Sequence, residues 1–423
     1  MTAQKLCVLG LGYIGLPTAS TFANHGLEVV GMDTNPEIVS GLQNGKIHIF
    51  EPGLRSLVEK ALTSGNLTIS QAVQPADAFI IAVPTPFYED KRADMRFVEA
   101  AAASIVPHLK RGNLVILEST SPPRTTVDIL APILERSGLK AGPDFHLAYS
   151  PERVLPGKIL QELIENARVI GGIDSASAEA GRDLYLHFVK GEIVLTDATT
   201  AEMVKLMENT SRDISIAIAN EFCRLADEFG IDVWEAIQIA NRHPRVEILK
   251  PGVGVGGHCI SVDPWFLVEA APEKSKLILT ARQVNDSQPE FVSQLIEKTA
   301  GGLQDKKVAF LGLAFKPDVD DLRESPAVEL AHLLQAKGAL VKAYEPFKPE
   351  AHLPGITHEK DLEKLLTDAD LIVLAVGHQQ FKALEAQHIA ALTSAKIVFD
   401  AVNGWDKEEW EAAGFIYKGL GKK

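Results

Sequence analysis

The sequence predicts an α/β protein in which two doubly wound parallel sheets are joined by a central helical domain with one long helix. Residues 5–36 read as strand, glycine turn, helix and strand, and the block that restarts at Lys306 repeats this order. A long helical pattern lies between these blocks along the chain. We therefore expect three domains, at residues 1–198, 199–302 and 303–423.

The composition restricts the class of partner. The 423-residue chain has a formal net charge of −14, which would repel the phosphates of nucleic acid and of anionic membranes, so neither is expected as a partner. Three cysteines are too few for a disulfide framework and favour a reducing compartment, so we expect a cytoplasmic protein. The sequence has no signal-peptide pattern and no apolar run of membrane-spanning length, so we expect it to be neither exported nor inserted.

The first block contains a glycine motif in the setting that nucleotide binding requires. Gly10, Gly12 and Gly15 form G-x-G-x-x-G after a strand and at the start of a helix, where backbone N–H groups can approach a pyrophosphate. Asp33 follows about 20 residues later, at the tip of the second strand, where a carboxylate can bind ribose hydroxyls and would repel a 2′-phosphate. This block is therefore predicted to be a Rossmann-like domain that binds NAD rather than NADP. The matching turn of the third block, GLAFKP, has lost two of the three glycines and contains Lys316, which indicates contact with a different phosphate.

A polar stripe follows the long helical pattern that begins near residue 199 and stops at Gly230. Solvent exposure is the usual explanation for Lys and Arg on a helix, but the flanking positions are apolar and would bury most of this one. A lysine held against an apolar wall can stabilise an oxyanion or act as a base. The stripe, at spacings of three or four residues, consists of Lys205, Asn209, Arg212 or Asp213, Ile216 and Asn220.

The loop at residues 252–257 holds four glycines, which let the backbone approach a ligand, and Cys259 follows it. Asp263 lies four residues after this cysteine and pairs a carboxylate with a nucleophile. Together with the NAD motif, Cys259 suggests an oxidation in which a thiolate captures an aldehyde. Cys7 and Cys223 are expected to pack as buried apolar side chains. His258 could assist, but no metal-ligand pattern surrounds it, and no metal is expected.

Several stretches of the sequence together carry a resemblance to a known family over nearly the whole chain. They are GLGYIGLP (10–17), PTPF (84–87), ESTSPPRTT (118–126), YSPERVLPGK (149–158), AEMVKLMENTSRDISIAIANE (201–221), PGVGVGGHCISVDP (251–264) and FKPDVDDLRESPA (315–327). They resemble the UDP-glucose/GDP-mannose dehydrogenases, which oxidise a nucleotide sugar alcohol twice to the carboxylate with two NAD. Within the family, PERVLPGK and GGHCISVDPWF are most similar to the enzymes for UDP-N-acetyl-D-mannosamine, with those for UDP-N-acetylglucosamine close behind.

The resemblance implies roles in the two oxidations. Cys259 would trap the C6 aldehyde as a thiohemiacetal, which the second oxidation converts to a thioester. Lys205 and Asn209 would hold the C6 oxygen, and Asp263 would support Lys205 or a water. These roles fit the chemistry, because the hydroxyl must lose a proton and the tetrahedral intermediates need fixed positive charge.

The resemblance also implies how the thioester is hydrolysed. Glu152 would act as the base, and Thr120 would position the attacking water. Considered without the resemblance, Glu152 reads as an ordinary loop carboxylate. The glucose enzymes carry a second glutamate where this chain has Pro156, so hydrolysis here must use different partners.

The implied binding residues extend over all three blocks. Arg245 resembles an arginine supplied to the sugar across a homodimer formed through the central helical domain, with Arg242 as the alternative. Val402 stands where the family often has an arginine, so the UDP contacts of the third block rest mainly on Lys316. The implied cofactor contacts are Gly10, Gly12, Tyr13, Ile14, Gly15, Asp33, Pro84, Thr85, Thr120 and Arg323. The implied substrate contacts are Glu152, Arg153, Val154, Lys158, Lys205, Asn209, Arg212, Arg245, Lys250, Gly256 and Lys316.

Three other functions stay open at this point. A UDP-N-acetylglucosamine or UDP-glucose 6-dehydrogenase would share the motifs, because an inverted hydroxyl is recognised by side-chain geometry rather than by residue type. A 3-hydroxyacid dehydrogenase of related architecture would oxidise once and need no thiol. A sugar-nucleotide-binding protein could keep the fold without turnover, and any production of NADH would exclude it.

Overall fold

The computed structural model describes residues 4–257 and 259–423, and the chain divides into two compact units. The first unit runs to Glu208 and includes Trp265–Pro272, and the second comprises Asn209–Pro264 and Glu273–Lys423. In the part of the chain that is described, no helix has both the length and the apolar character needed to cross a membrane.

The first unit contains a sheet whose strands lie in the order β3-β2-β1-β4-β5-β6-β7-β8. The described pairs are parallel except for β6 with β7, which is antiparallel. The sequence predicted a parallel sheet, and this pair departs from it. The strands are β1 (Lys5–Leu9), β2 (Glu28–Met32), β3 (Leu67–Ser70), β4 (Ala78–Ile81), β5 (Leu114–Leu117), β6 (His146–Tyr149), β7 (Arg168–Gly172) and β8 (Ile193–Asp197).

Helices cover the first sheet and bury its central strands. Residues of β4 and β5 are at most 1% exposed, which is why these strands read as continuous apolar runs rather than as alternating patterns. Strand order reverses at β1 and β4, and ligands of such sheets bind at the carboxyl ends of the strands on either side of that reversal. The helices are α1 (Gly15–Asn24), α2 (Pro36–Gln43), α3 (Leu54–Thr63), α4 (Arg96–Ile105), α5 (Ala131–Leu134), α6 (Ile159–Glu165) and α7 (Ser175–Tyr185).

The long helix predicted from the sequence is present as α8 (Ala198–Phe229), which has 32 residues. It ends just before Gly230, whose φ of 66° is a left-handed conformation that favours glycine. The helices that follow are α9 (Val233–Ala240), α10 (Asp263–Ala270), α11 (Lys276–Asp286) and α12 (Gln288–Ala300).

The second unit contains a parallel sheet with the order β11-β10-β9-β12-β13-β14. The prediction of an α/β fold with two such sheets and a central helical region is therefore confirmed, whereas the three domain boundaries stay a prediction. The strands are β9 (Lys307–Leu311), β10 (Leu340–Tyr344), β11 (Thr357–His358), β12 (Leu371–Leu374), β13 (Ile397–Asp400) and β14 (Ile416–Gly419). The helices of this region are α13 (Pro326–Ala336), α14 (Leu362–Thr367), α15 (Gln379–Lys382), α16 (Ala386–Leu392) and α17 (Lys407–Ala412).

A buried ion pair joins α8 to α11 in the second unit. The side chains of Asp213 and Arg282 are 0% and 1% exposed, and Arg282 Nη1 donates to Asp213 Oδ1 at 2.5 Å. Asn285 Nδ2 donates to the same carboxylate oxygen at 2.8 Å. Asn285 also accepts from Asn220, whose Oδ1 accepts from the backbone N–H of Gly252, where the glycine loop begins. The pair therefore supports the base of the loop that carries Cys259.

We expect Asp213→Ala to lower the free energy of unfolding by about 3–5 kcal/mol, because it leaves the Arg282 charge buried without this partner. Chemical denaturation of the second unit, followed by tryptophan fluorescence, measures the change. Asp286→Ala is the matched control, since Asp286 also contacts Arg282 but its side chain is 42% exposed. We expect the control to cost less than about 1 kcal/mol, and equal effects of the two variants would contradict the prediction.

Candidate active site

The glycine turn after β1 forms the cradle that the sequence predicted. A Cβ on Gly15 would lie 1.8 Å from the carbonyl oxygen of Gly10, and Gly10 itself has a φ of 92°. A Cβ on Gly12 would meet no atom of the described residues within 4 Å, so the start of α1 is open to a ligand. These features fit the pyrophosphate of NAD, which binds at a helix N-terminus and needs close backbone approach.

Asp33 follows β2 and borders the same turn. Its Oδ2 accepts from the backbone N–H of Leu11 and its Oδ1 from that of Asn35, both at 2.9 Å. His48, on the loop after α2, lies near Asp33 and the backbone of Leu11, and its partial burial lowers the pKa of its imidazole. His48 was not predicted from the sequence, since a single histidine in a loop carries no signal of its own.

The other predicted cofactor residues occupy several places. Thr85 is half-buried and Pro84 is exposed, and both follow β4 on the side of the sheet where β1 ends. Tyr13 and Ile14 are half-buried in the glycine turn. Arg323 belongs to the second unit, where its exposed guanidinium makes a two-point contact with Asp321 at 2.9 and 2.7 Å.

We expect Gly15→Ala to raise the KM for NAD by at least about tenfold, because the new methyl group would displace the Gly10 backbone from the position predicted to contact the pyrophosphate. Initial-rate kinetics with varied NAD measure this. Gly41→Ala in α2 is the control, since its Cβ would lie 3.4 Å from the Lys46 carbonyl oxygen, an ordinary van der Waals distance. An unchanged KM in Gly15→Ala would show that the turn does not hold the cofactor.

The parallel pairing of β5 and β6 brings Thr120 and Glu152 to matching positions. Leu117 pairs with Tyr149 at the strand ends, and each predicted residue lies three positions beyond its member of that pair. Lys205 Nζ, on α8, lies 3.8 Å from Glu152 Oε2, and the two side chains are 6% and 12% exposed. The structure therefore brings the predicted base and the predicted lysine together inside the first unit.

Burial sets the protonation of Glu152. Desolvation raises the pKa of its carboxyl above 4.5, the ordinary value, and the nearby Lys205 ammonium offsets part of this effect. The backbone N–H of Val154 donates to Glu152 Oε1 and holds the carboxyl in place. A carboxyl with a raised pKa can accept a proton from water more readily, which is the property of a general base.

A buried polar cluster, which was not predicted from the sequence, lies beside Glu152. Glu118 Oε1 accepts from Tyr185 at 2.6 Å and from Arg168 at 3.1 Å, and the Arg168 Nη1 also donates to Ser150 Oγ at 3.0 Å. Glu118 lies two residues before Thr120, and Ser150 lies two residues before Glu152. The cluster therefore fixes the starts of both loops that carry predicted catalytic residues.

Helix α8 also holds those loops, through glutamates that were not predicted from the sequence. Glu202 Oε1 accepts from the backbone N–H and the hydroxyl of Thr126, at 2.8 and 2.6 Å, where the loop that follows Thr120 ends in a π-helical turn. Glu208 makes a two-point contact with Arg153, at 3.1 and 2.5 Å, on the loop that follows Glu152. Glu202, Lys205 and Glu208 follow one another at intervals of three residues, so they share one face of α8. This spacing is the sequence signal that could have identified the two glutamates.

The second unit holds the predicted nucleophile. Cys259 is half-buried, and its carbonyl accepts from the backbone N–H groups of Val262 and Asp263 at 3.0 and 2.8 Å, one turn ahead of α10. Asn209 Nδ2, on α8, donates to the buried carboxylate of Asp263. The predicted trio of Cys259, Asp263 and Asn209 therefore forms one connected group, while His258 lies outside the described residues.

The remaining cysteines behave as expected for packing residues. Cys7 and Cys223 are both 0% exposed. Burial raises the pKa of both thiols, that of Cys223 to about 12, so neither forms a thiolate near neutral pH.

The predicted substrate residues outside these groups differ in how far they are buried. Arg212 is exposed on α8, whereas Asp213 faces the interior, which resolves the two positions that the stripe left open. Val154 and Lys316 are half-buried, and Gly256 is buried. The exposed ones are Lys158, Arg212, Arg242, Arg245 and Lys250.

A sheet with an NAD-type glycine turn, a second parallel sheet and a cysteine loop define the class as an NAD-dependent dehydrogenase with a separate nucleotide-binding domain. The chain belongs to the UDP-glucose/GDP-mannose dehydrogenase family. The NAD-binding domain of that family matches residues 4–189, its central domain residues 199–287 and its UDP-binding domain residues 309–407. NAD is therefore the cofactor, and a UDP-sugar is the class of substrate.

Similar proteins carry names from within this family. The chain is 47% identical to a UDP-N-acetyl-D-mannosamine dehydrogenase of Methanococcus maripaludis, over 99% of this chain and 97% of that protein. It is 46% identical to an NDP-N-acetyl-D-galactosaminuronic acid dehydrogenase of Ralstonia solanacearum, over 97% of this chain and 98% of that protein. A solved UDP-D-ManNAc dehydrogenase from Pyrococcus horikoshii superposes with a TM-score of 0.92 at 40% identity, covering 99% of each chain.

Proposed function

We propose that this protein oxidises the C6 hydroxyl of UDP-N-acetyl-D-mannosamine twice, to UDP-N-acetyl-D-mannosaminuronate. NAD, when bound, supplies the acceptor for the two electrons of each oxidation. The names of the most similar relatives favour this substrate, and UDP-N-acetylglucosamine and UDP-glucose are the alternatives. A cysteine fits the second oxidation, since an aldehyde must add a nucleophile before it can lose a further hydride.

One observation carries this proposal, the placement of Lys205 and Asn209 on α8. They are one helical turn apart, which is about 6 Å along the axis, and their side chains lead to different catalytic partners. Lys205 lies 3.8 Å from Glu152, and Asn209 donates to Asp263, which follows Cys259 by four residues. Within the first unit α8 therefore places Lys205 beside the proposed base, and within the second unit it holds Asp263, which follows the proposed nucleophile.

The chain's own residues divide the chemistry as follows. Lys205 and Asn209 hold the C6 oxygen and stabilise its negative charge in the tetrahedral states. The Cys259 sulfur forms a bond to C6 of the aldehyde, and after the second oxidation this adduct is a thioester. Glu152 then takes a proton from a water held by Thr120, the water oxygen bonds to C6, and the thiolate leaves.

The substrate contacts inferred from the sequence remain part of the proposal. Lys158, Lys250 and Lys316 would supply local positive charge to a diphosphate, which the chain's overall charge of −14 does not provide. Arg245 or Arg242 would contact the sugar that is bound to a second protomer. Arg212 and Gly256 would lie next to the sugar. The two-point contact of Arg153 with Glu208 supports a role for Arg153 and Val154 in shaping the substrate loop.

NADH release with three substrates tests the proposed function. UDP-N-acetyl-D-mannosamine, UDP-N-acetylglucosamine and UDP-glucose are compared at equal concentration, and uronate is quantified beside NADH. We expect two NADH per sugar and a kcat/KM at least about tenfold higher for the mannosamine nucleotide. A preference for either other sugar would overturn the choice of epimer, and one NADH per sugar would overturn the thioester mechanism and favour a single-step dehydrogenase. Absence of NADH with all three would favour a binding protein without turnover.

We propose that the protein is a homodimer formed through the central helices. Helix α8 exposes apolar side chains at helical spacing, Ile218, Phe222, Leu225 and Phe229, which are 45%, 41%, 43% and 70% exposed. A contiguous apolar stripe of this kind on a soluble protein favours an interface. We expect Phe222→Glu to halve the molar mass measured by light scattering, whereas Glu221→Gln beside it should not. A monomeric wild-type protein would contradict the proposal.

The cytoplasm is the proposed location. NAD and UDP-sugars are cytoplasmic metabolites in this class of reaction, and a catalytic thiolate needs a reducing compartment. Among the described residues, none of the three cysteines forms a disulfide. Localisation of a tagged full-length protein by cell fractionation tests this.

A further inference from the structure

The loop that carries Cys259 is in direct backbone contact with residues 315–326, which we name the Lys316 segment. A Cβ on Gly256 would lie 2.3 Å from the carbonyl oxygen of Glu324 and 2.6 Å from Cδ of Pro326. A Cβ on Gly257 would lie 2.8 Å from the ring of Phe315. The Lys316 segment therefore occupies the space that side chains at these two glycines would need.

A hydrogen bond reinforces this contact. The backbone N–H of Gly257 donates to the carbonyl of Arg323 at 3.2 Å, and Gly257 has a φ of 87°, which favours glycine. Ser261 Oγ donates to the carbonyl of Gly257, and Asp263 N–H donates to that of Cys259 at 2.8 Å. These hydrogen bonds link the Lys316 segment to the turn that begins at Cys259, so a displacement of the segment would also move this turn.

The other part of the Lys316 segment is anchored on the second sheet. The N–H of Asp318 donates to His378 Nδ1 at 2.8 Å, and Asp318 Oδ1 accepts from the N–H of Gln379 at 3.0 Å. The buried His378 in turn contacts Glu345 Oε2 at 3.1 Å. Because His378 Nδ1 accepts a hydrogen bond from the Asp318 backbone, the hydrogen of the imidazole lies on Nε2. The Nε2–H group then donates a hydrogen bond to Glu345.

Two residues of the Lys316 segment have backbone conformations that are rare for non-glycine residues. Asp318 has a φ of 61° and Glu324 a φ of 48°. Such conformations persist where the surroundings over-determine them, and they cluster at ligand clamps and switch regions. In the sequence, Lys316 lies between Phe315, whose ring contacts Gly257, and Asp318, which is hydrogen-bonded to His378. An anion bound to Lys316 therefore acts on a stretch of backbone that is held on both sides.

We propose that the Lys316 segment positions Cys259, so that a nucleoside diphosphate bound at Lys316 changes the reactivity of the Cys259 thiol. The proposal rests on the proposed function, in which Lys316 contacts the diphosphate of the substrate. It adds that the nucleotide half of the substrate prepares the nucleophile before the sugar is oxidised. Phe315 is a positioning residue in this scheme, since it acts on the thiol through Gly257.

The rate at which iodoacetamide alkylates Cys259 tests the proposal in the full-length protein. Cys7 and Cys223 are 0% exposed, so the native protein reports on Cys259, and a Cys259→Ser protein gives the blank. UDP is the probe, because it has the diphosphate but lacks the sugar that would cover the thiol. We expect saturating UDP to change the alkylation rate by about fivefold or more, with binding of UDP measured separately by calorimetry.

Two variants separate transmission through the segment from simple shielding by the ligand. Phe315→Ala keeps Lys316 and should still bind UDP, but the effect of UDP on alkylation should fall to about twofold or less. Phe315→Leu keeps a larger apolar side chain, provides a folded alternative if the alanine variant unfolds, and should show an intermediate effect. Lys316→Met should lose UDP binding and with it the whole effect.

Each other outcome counts against a particular statement. If UDP binds wild type without changing alkylation, or if both Phe315 variants bind UDP and keep the full effect, the positioning role of the segment is wrong. If UDP does not bind the wild-type protein, the assignment of the substrate class fails and the coupling fails with it. Two NADH per sugar with no UDP effect on alkylation would leave the proposed function intact and reject only the coupling.

Discussion

Replacement of Cys259 by serine is expected to lower the steady-state formation of the uronate by at least about 1,000-fold. A cysteine thiol is a far better nucleophile toward an aldehyde than a serine hydroxyl, which needs a dedicated base to react. The variant should still hold the cofactor, because the glycine turn belongs to the first unit. Mass spectrometry of the products and NADH per sugar, measured together, give the result.

Cys223→Ala is the matched control for the serine variant. Cys223 is 0% exposed on α8 and packs as a small apolar side chain, so its loss should leave kcat within about twofold. Wild-type rates of uronate formation by the Cys259→Ser protein, with two NADH per sugar, would refute a covalent mechanism at this position. Parallel loss in both variants would instead indicate damage to the fold.

Replacement of Glu152 by glutamine is expected to slow uronate release by about 100-fold or more while leaving both oxidations in place. Glutamine keeps the size of the side chain but cannot take a proton from water. The variant should therefore release two NADH per active site in a burst and then stall as the Cys259 thioester. Rapid-mixing absorbance records the burst, and intact-protein mass spectrometry detects the adduct.

The wild-type enzyme should show an acid limb in the pH dependence of uronate release. Burial raises the pKa of Glu152 above the ordinary value of 4.5, so the carboxyl is protonated, and inactive as a base, over a wider range of acid pH. As pH rises through this raised pKa, the carboxylate forms and hydrolysis accelerates. The limb should disappear in Glu152→Gln, and a limb that persists unchanged would assign it to another group.

Glu162→Gln is the control for these measurements. Glu162 Oε2 accepts from the N–H of Leu155 at 2.7 Å on the same loop, so the variant tests loop integrity without removing the base. We expect its steady-state rate to stay within about threefold of wild type. A burst in this variant as well would show that loop disorder, rather than loss of a proton acceptor, stops hydrolysis.

Local patterns were sufficient to predict the fold class and the glycine turn of the first unit. Strands β4 and β5 are buried on both faces and therefore appear as uninterrupted apolar runs, and Gly230 marks the end of α8 by its left-handed backbone. The spacing of Gly10, Gly12 and Gly15 predicted the turn, because a tight turn between a strand and a helix needs residues without a side chain at these positions. The antiparallel pairing of β6 with β7 was not predicted, since strand direction depends on the path of the intervening chain.

The support of the candidate site was much harder to predict. Glu118 and Arg168 are 50 residues apart in sequence, and Glu202 and Thr126 are 76 apart. In the sequence, each of these four residues looks like an ordinary charged or polar residue. Its partner becomes a neighbour only when the sheet and α8 have formed. No short-range periodicity links such pairs, so their roles could not be inferred before the contacts were known.

The sequence by itself determined the two strand–turn–helix–strand blocks with the long helix between them, the glycine turn, the helical spacing of Lys205 and Asn209, and the burial of Cys7 and Cys223 as packing residues. These features depend on backbone geometry and on neighbours within a few residues. Only the tertiary structure decided that Asp213 rather than Arg212 faces inward and that Glu152 is buried beside Lys205. It also decided that the Lys316 segment packs against Gly256 and Gly257, where a side chain would not fit. Burial and long-range contact decide such matters, because they are properties of the packed chain and not of any stretch of it.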